Sequence, residues 1–326
     1  MKLTEYFDKF LKDTVNLNQS RLDKLQEKEK IIRNFIKDSD IFKDLYKNMV
    51  EQGSYAQKTI IKPAKNNQEF DADFLLVLKE NDEWEAKDYV NELYNIFKNN
   101  GNYENIVRRK KRCVVIDYSG DFHIDIVPCI EKNSNYYVCN RNSNNFEKDN
   151  PIAYKDWLMQ KHKTANYHLV KSIRLFKYLR NIKTDFSIKS ILLNTLLGNR
   201  IKTLENTSDF SDIPTTFYTL FDRLNEYLQN NKTMPVILNP VLSEEDLTDR
   251  NWDDDKYKNF REKISMYFEK VKDAYKETNK DESIKKWQKV FGDEFPSEIK
   301  NDNNKSANKN LSALGALAGS NKLWGY

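Results

Sequence analysis

The run FDADFLLVL (Phe70–Leu78) constrains this chain more than any other stretch. Phe74 to Leu78 is an apolar run without helical spacing, which predicts a buried strand. Asp71 and Asp73 open it. Residues i and i+2 of a strand share a face, so the two carboxylates aim together. Like charges that close raise each other's proton affinity and are costly to bury unpaired. A divalent cation removes that cost.

A third carboxylate comes from FHIDIVPCI (Phe122–Ile130). There Phe122, Ile124 and Ile126 alternate with His123, Asp125 and Val127, so Asp125 leaves an apolar strand on its polar face. Three carboxylates converging from adjacent strands make a hard-oxygen site suited to Mg²⁺ or Mn²⁺. Two such ions can clamp the attacking and leaving oxygens of a phosphoryl displacement. Ahead of the pair stand Gly53 and Ser54. Glycine lets backbone N–H groups approach a phosphate closely, and serine adds a hydroxyl donor. A triphosphate held there would present its α-phosphorus at Asp71 and Asp73. Asp125 would then sit near the acceptor hydroxyl, able to help deprotonate it. A Gly-Ser pair or a DxD pair alone is common in surface loops; the ordered set carries the assignment.

The flanking texture fits an α/β core. Trp84–Asn100 reads as an amphipathic helix ending before Gly101, and Cys113–Ser119 with Phe122–Ile130 reads as a hairpin turning at Gly120-Asp121. Residues 1–50 read as helical throughout, and helix returns from about Pro151, with Asn239–Trp252 as a proline-containing loop. After about Lys300 the composition turns to Asn, Ser, Lys and Gly, which predicts a mobile tail. The expected division is a helical spine over 1–50, a catalytic core over 51–160, a helical lobe over 161–300 and a tail over 301–326.

Composition excludes several classes. The net charge of the 326 residues is only +4, so the chain is no generic DNA-coating protein, although VRRKKR (Val107–Arg112) leaves room for a local basic surface. The alternative for that run is a solvated approach to the hairpin. Three cysteines, Cys113, Cys129 and Cys139, form no CxxC pair and read as small core residues. His123 reads as a hydrogen-bonded residue rather than a metal ligand. Tyr136, Tyr137 and Trp157 could stack on bases or simply pack. No run approaches the ~20 apolar residues of a membrane span, and no signal-peptide pattern opens the chain, so a cytoplasmic protein is expected.

At GSY…TI (Gly53–Ile60), FDADFLLVL and FHIDIVPCI the chain resembles the nucleotidyltransferases with a polymerase-β-like core. Within them it is most similar to the bacterial CD-NTases of the SMODS type, relatives of animal cyclic GMP-AMP synthase and oligoadenylate synthase. FLKDTVNLNQSRLDKLQ near the N-terminus and ILNP (Ile237–Pro240) add to the likeness. The resemblance implies an α+β fold: a mixed-sheet core, a helical C-terminal lobe and an N-terminal helical spine. It implies joining of ribonucleoside triphosphates, ATP and GTP foremost, into a cyclic di- or trinucleotide. That product would activate an effector in CBASS anti-phage defence. Asp71 and Asp73 would bind both of two Mg²⁺ or Mn²⁺ ions, Asp125 would complete the site, and Gly53 and Ser54 would hold the donor triphosphate.

By the same resemblance Lys177, in RLFKYL, would contact the triphosphate. Ser187, in FSIKSILL, falls where relatives place a phosphate- or base-side serine. The next position, a base-stacking tyrosine in some relatives, is Ile188 here. The tail would suit conjugation by CBASS accessory proteins, or be plain disorder. No zinc-ligand cluster supports dependence on DNA. Two other readings fit the residues: a template-independent enzyme making linear products, and a catalytically silent nucleotide-binding regulator.

Overall fold

The computed structural model describes residues 1–63, 69–133, 135–249 and 252–299; the tail expected over 301–326 lies outside them. Helix α1 (Thr4–Phe10) runs on through a π turn (Leu11–Val15), followed by α2 (Gln19–Lys37), β1 (Tyr46–Gln52), the single turn α3 (Gly53–Ala56), β2 (Phe70–Leu78) and α4 (Ala86–Lys98). Strands β3 (Val107–Arg109), β4 (Val114–Tyr118), β5 (Phe122–Lys132), β6 (Asn135–Asn140) and β7 (Asn145–Asp149) complete the sheet region. Helices α5 (Pro151–Thr164), α6 (Leu169–Lys183), α7 (Ser190–Asn199) and α8 (Ile213–Asn230) follow. Last come the hairpin β8 (Leu238–Asn239) and β9 (Leu242–Asp246), then α9 (Asp254–Lys276) and α10 (Lys280–Phe291).

The sheet runs β1-β2-β5-β4-β3, with β6 on the second half of β5 and β7 beyond it. Strands β2 and β5 are parallel and all other pairs antiparallel, so the sheet is mixed. Parallel neighbours cannot be joined by a hairpin, and α4 with β3 and β4 supplies the crossover. The continuous apolar run of β2 has a simple cause: both faces are covered. Phe74, Leu76 and Leu78 join the main sheet core with Tyr89, Val90, Leu93 and Phe97 of α4, while Leu75 and Val77 pack with Cys129 and Val138 on the other face. Asp71 and Asp73 share the face of Leu75 and Val77.

The first fifty residues are not helical throughout. After the π turn, Asn16 is extended and Asn18 caps α2 by accepting from the Arg21 N–H at 2.9 Å. This break splits the segment between lobes. Residues Leu3 to Val15 pack into the helical core, whereas Leu17 to Ile36 pack against the sheet. Helix α2 ends at Lys37, where the Ser39 hydroxyl donates to the Ile36 carbonyl at 2.8 Å and accepts from the Phe42 N–H at 3.2 Å. The chain then turns into β1, six of whose seven residues have antiparallel partners on β2, instead of extending a helix.

The expected boundary at 160 cuts through α5, which is started by its Asn150 cap and by Pro151 in the first turn. The loop expected over Asn239–Trp252 holds β9, paired back onto β8. Here Asn239 and Val241 form a side-chain-to-backbone turn at 3.0 Å.

The helical core closes over the N-terminus. Phe7 is 0% exposed, and its ring lies 4.8 Å from Trp287, 5.3 Å from Phe295 and 6.0 Å from Phe291. Phe7→Ala is expected to destabilise the protein by about 3–5 kcal/mol, the usual loss for a fully buried aromatic. Urea unfolding followed by tryptophan fluorescence measures it. A loss below about 1 kcal/mol would mean that α1 does not dock on α10.

Candidate active site

The parallel register places Asp73 beside Asp125 and Asp71 beside His123. Two adjacent rows thus cross one sheet face. Asp71 is largely exposed, Asp73 half-buried and Asp125 nearly covered, its side chain 12% exposed. Asp125 Oδ2 accepts from Lys110 Nζ at 3.0 Å and from the Cys113 thiol at 3.5 Å. Its Oδ1 is buried without a hydrogen-bond partner. The Asp73 carboxyl is pushed up to about 7 by burial first, then by the charges of Asp125 and Asp71. An orphaned buried carboxylate oxygen beside a carboxyl that resists ionisation fits a divalent-cation site, and the donors are hard oxygens.

Strand β1 delivers the Gly-Ser turn to this place. Gln52, its last residue, is the register partner of Asp73, so Gly53 lies directly over the Asp73 side chain. Gly53 has φ +60°, and a Cβ there would fall 2.4 Å from Asp73 Oδ2. Only glycine allows that approach. The Ser54 carbonyl then accepts from the Thr59 and Ile60 N–H groups at 2.9 and 3.2 Å, tying down the end of the turn.

Both lobes line the resulting cleft of about 440 Å³. One wall carries Gln52, Gly53, Ser54, Gln57 and the three aspartates; the other carries Ser190, Ile191 and Asn194 of α7, with Asp149, Pro151, Tyr154 and Asn239. Asn194 Nδ2 donates to Gln57 Oε1 at 2.8 Å, joining α7 to the segment that follows α3. The Tyr154 hydroxyl pairs with Thr195 Oγ1 at 2.8 Å and donates to the Ile191 carbonyl at 3.1 Å.

The structure gathers Asp71, Asp73, Asp125, Gly53 and Ser54, and it does not bring Lys177 or Ser187 to the cleft wall. Lys177 is buried, with Nζ donating to both the carbonyl and the hydroxyl of Thr59 at 2.9 Å. Burial first, then Arg180 and Arg174, lower it to about 7, against the pull of Asp73. Ser187 is exposed on the loop before α7, its carbonyl facing Trp252 Nε1 at 3.4 Å. Of Ser187 and Ser190, the one on the cleft wall is Ser190, the first residue of α7. Lys189, not a serine, takes the N-cap position of α7, without a side-chain cap, so no capping signal distinguished Ser190 from Ser187. Gln57, Asn194, Asp149 and Tyr154 had no signal either, because their meeting depends on how the lobes pack.

The remaining candidates resolve by contact. His123 Nε2 pairs closely with the Glu69 carboxylate, lies 3.6 Å from Asp117 Oδ1, and its Nδ1 is 3.8 Å from Asp71 Oδ1. Glu69, Asp117 and His123 bring ligand atoms within 4.8 Å of one another. Glu69 is, however, already engaged by His123 and by the Gly120 N–H at 2.6 Å, so the group reads as a polar brace beside the aspartates. The basic run is paired within the protein: Arg108 with Asp117 at 2.9 Å, Arg109 with Asn91 at 2.7 Å, Arg112 with Glu147 and Lys110 with Asp125. Tyr136 and Tyr137 lie on β6 and Trp157 packs against Tyr154 at 5.4 Å, and none of them lines the cleft. The cysteines are free and buried. No helix among the described residues is long and apolar enough to cross a membrane.

Comparison with known proteins bears on the same elements. Residues 1–162 match the sequence profile of the Second Messenger Oligonucleotide or Dinucleotide Synthetase (SMODS) domain. A c-di-GMP synthase of Roseivirga ehrenbergii is 25% identical over 271 residues, which cover 73% of this chain and 70% of the relative. A cyclic AMP-AMP-AMP synthase of an Acinetobacter strain is 22% identical over 287 residues, 85% of this chain and 80% of the relative. The GTP-bound structure of Vibrio cholerae DncV shares the fold, with a TM-score of 0.71 at 17% identity over 90% of this chain and 96% of that one. The matched profile spans the segment that holds the Gly-Ser turn and all three aspartates, and the chain belongs to the CD-NTase family of cyclic-oligonucleotide synthases.

Proposed function

We propose that this protein joins ribonucleoside triphosphates into a cyclic di- or trinucleotide signal, by attack of a ribose hydroxyl on the α-phosphorus of a second nucleotide. The observation that carries the reading is the Asp73–Asp125 register with Gly53 lying over Asp73. Gly53 and Ser54 hold the donor triphosphate, with Ser190 facing them across the cleft. Asp71, Asp73 and Asp125 would hold divalent cations, Mg²⁺ or Mn²⁺, which when bound supply neutralising charge to the phosphates. Asp125, with one oxygen unpartnered, takes the proton of the attacking hydroxyl. The new bond joins that hydroxyl oxygen to phosphorus, and the bond to pyrophosphate breaks. A second round in the same cleft closes the ring.

The relatives named as c-di-GMP and cyclic AMP-AMP-AMP synthases support purine nucleotides as substrates and leave both ring sizes open. In a cell the product would act on a nucleotide-gated effector in anti-phage defence. The test is mass spectrometry of products formed from all four ribonucleotides with Mg²⁺ or Mn²⁺, before and after phosphatase. A phosphatase-resistant product absent from the Asp71→Asn, Asp73→Asn double variant is expected. Oligonucleotide products that lose terminal phosphates to phosphatase would make the enzyme a linear polymerase. A product that survives both substitutions would remove the aspartates from the chemistry.

A further inference from the structure

Asp125 is held by one oxygen only. Both its donors, the Lys110 ammonium at 3.0 Å and the Cys113 thiol at 3.5 Å, meet Oδ2, while Oδ1 stays buried and free. Both donors come from the turn between β3 and β4, on the β4 side of β5, whereas Asp73 stands on the opposite neighbour, β2. That turn is fixed at its base. The Lys110 N–H donates to the Cys113 carbonyl at 2.9 Å, and the Lys111 carbonyl accepts from the Arg141 N–H, also at 2.9 Å. Lys110 is not among the residues lining the cleft, so it reaches the chemistry through Asp125.

We infer that Lys110 is a positioning residue for the catalytic carboxylate: it engages Oδ2 so that Oδ1 alone faces Asp73 and the cation the two residues share. The inference rests on the metal-dependent reading above. A carboxylate free to rotate would divide its lone pairs between both oxygens and lose the fixed donor. Groups that orient a metal ligand in this way generally change metal affinity or turnover 10- to 100-fold when removed (roughly, by analogy with other metalloenzymes). The other charged or titratable groups around Asp125 are Asp73 and Asp71 on β2 and the thiol of Cys113.

The experiment compares wild type, Lys110→Met, Lys110→Arg and Asp125→Asn by Mn²⁺-dependent thermal stabilisation and by steady-state turnover. Lys110→Met is expected to raise the Mn²⁺ concentration for half-maximal stabilisation by about 10-fold or more and to lower kcat by a similar factor, with KM for nucleotide within about 2-fold. Lys110→Arg should recover most of both. Melting in chelator shows that each variant is folded. Unchanged Mn²⁺ binding in Lys110→Met overturns the inference. Tighter binding also overturns it, since Lys110 would then be a competitor for the carboxylate. A raised KM with normal kcat would make it a substrate contact instead. If wild type itself shows no Mn²⁺ stabilisation that Asp125→Asn removes, the catalytic reading fails rather than this one.

Discussion

Asp73→Asn will abolish product formation and, in chelator at pH 7.5, raise the melting temperature. The two effects have one cause. In the cation-free protein the Asp73 carboxyl is raised from 3.8 to about 7 by burial, then by Asp125 and Asp71. The folded state therefore binds a proton that the unfolded chain has released between those values. Stability is greatest below about pH 4 on this account and is lost as pH rises to about 7. The shift of roughly three units corresponds to at most about 4 kcal/mol, at about 1.4 kcal/mol per unit. Asparagine keeps the shape and removes the charge, so the variant should melt about 3–8 °C above wild type in chelator.

At pH 5 the gap should shrink, because Asp73 is then protonated in the folded protein. Lys177, lowered from 10.5 to about 7, costs stability in a separate window, as pH falls from above 10 towards 7. If Asp73 holds a cation as proposed, saturating Mn²⁺ should reverse the order, with wild type above the variant, and turnover should fall by about 10³-fold or more, the several kcal/mol that such a ligand contributes. An Asp73→Asn protein that melts below wild type in chelator at pH 7.5 would sink the account of this site as a set of repelling carboxylates.

The aspartates were legible because a strand has a period of two and their apolar flanks leave little freedom in how they face. Asp125 could be assigned within an alternating strand for the same reason. Strand β1 was not legible. YKNMVEQ buries only Met49 fully, with Tyr46, Val50 and Gln52 partly covered, and it becomes a strand by pairing with β2 rather than by its own pattern. That miss concealed why Gly53 stands where it does, since the register of β1 sets the turn over Asp73. Strands β6 and β7 were hidden by their polar residues. The second cleft wall was out of reach for a different reason. Asn194 and Gln57 lie far apart in sequence, and no local period predicts that an α7 amide meets a residue beside α3. The basic run was ambiguous in sequence because its partners Asp117, Asn91 and Glu147 are on other strands and on α4.

Gly53→Ala separates the geometry of the site from its composition, because it leaves every carboxylate in place. At φ +60° a side chain costs about 1–2 kcal/mol of backbone strain. The added methyl would also stand 2.4 Å from Asp73 Oδ2 and 3.1 Å from its Cγ, inside any contact distance. The carboxylate has nowhere neutral to go: Asp125 is its register partner, and Asp71 and the fully buried Leu75 flank it on the same face. Either the Gly-Ser turn lifts or Asp73 rotates, and each separates the Gly-Ser turn from the aspartates it lies over. A displacement of about 1 Å at a reacting centre is enough for a 10²-fold loss, and that or more is expected in kcat. Gly120→Ala is the control for strain alone, since Gly120 has φ +81° but nothing within 4 Å of its added carbon. It should cost a comparable 1–2 kcal/mol by the same backbone term and leave turnover within about 2-fold. Gly101→Ala, with an open position and ordinary backbone, should do neither. A Gly53→Ala enzyme that turns over like wild type would mean that the turn does not lie on Asp73, and the cleft as described would have to be rebuilt.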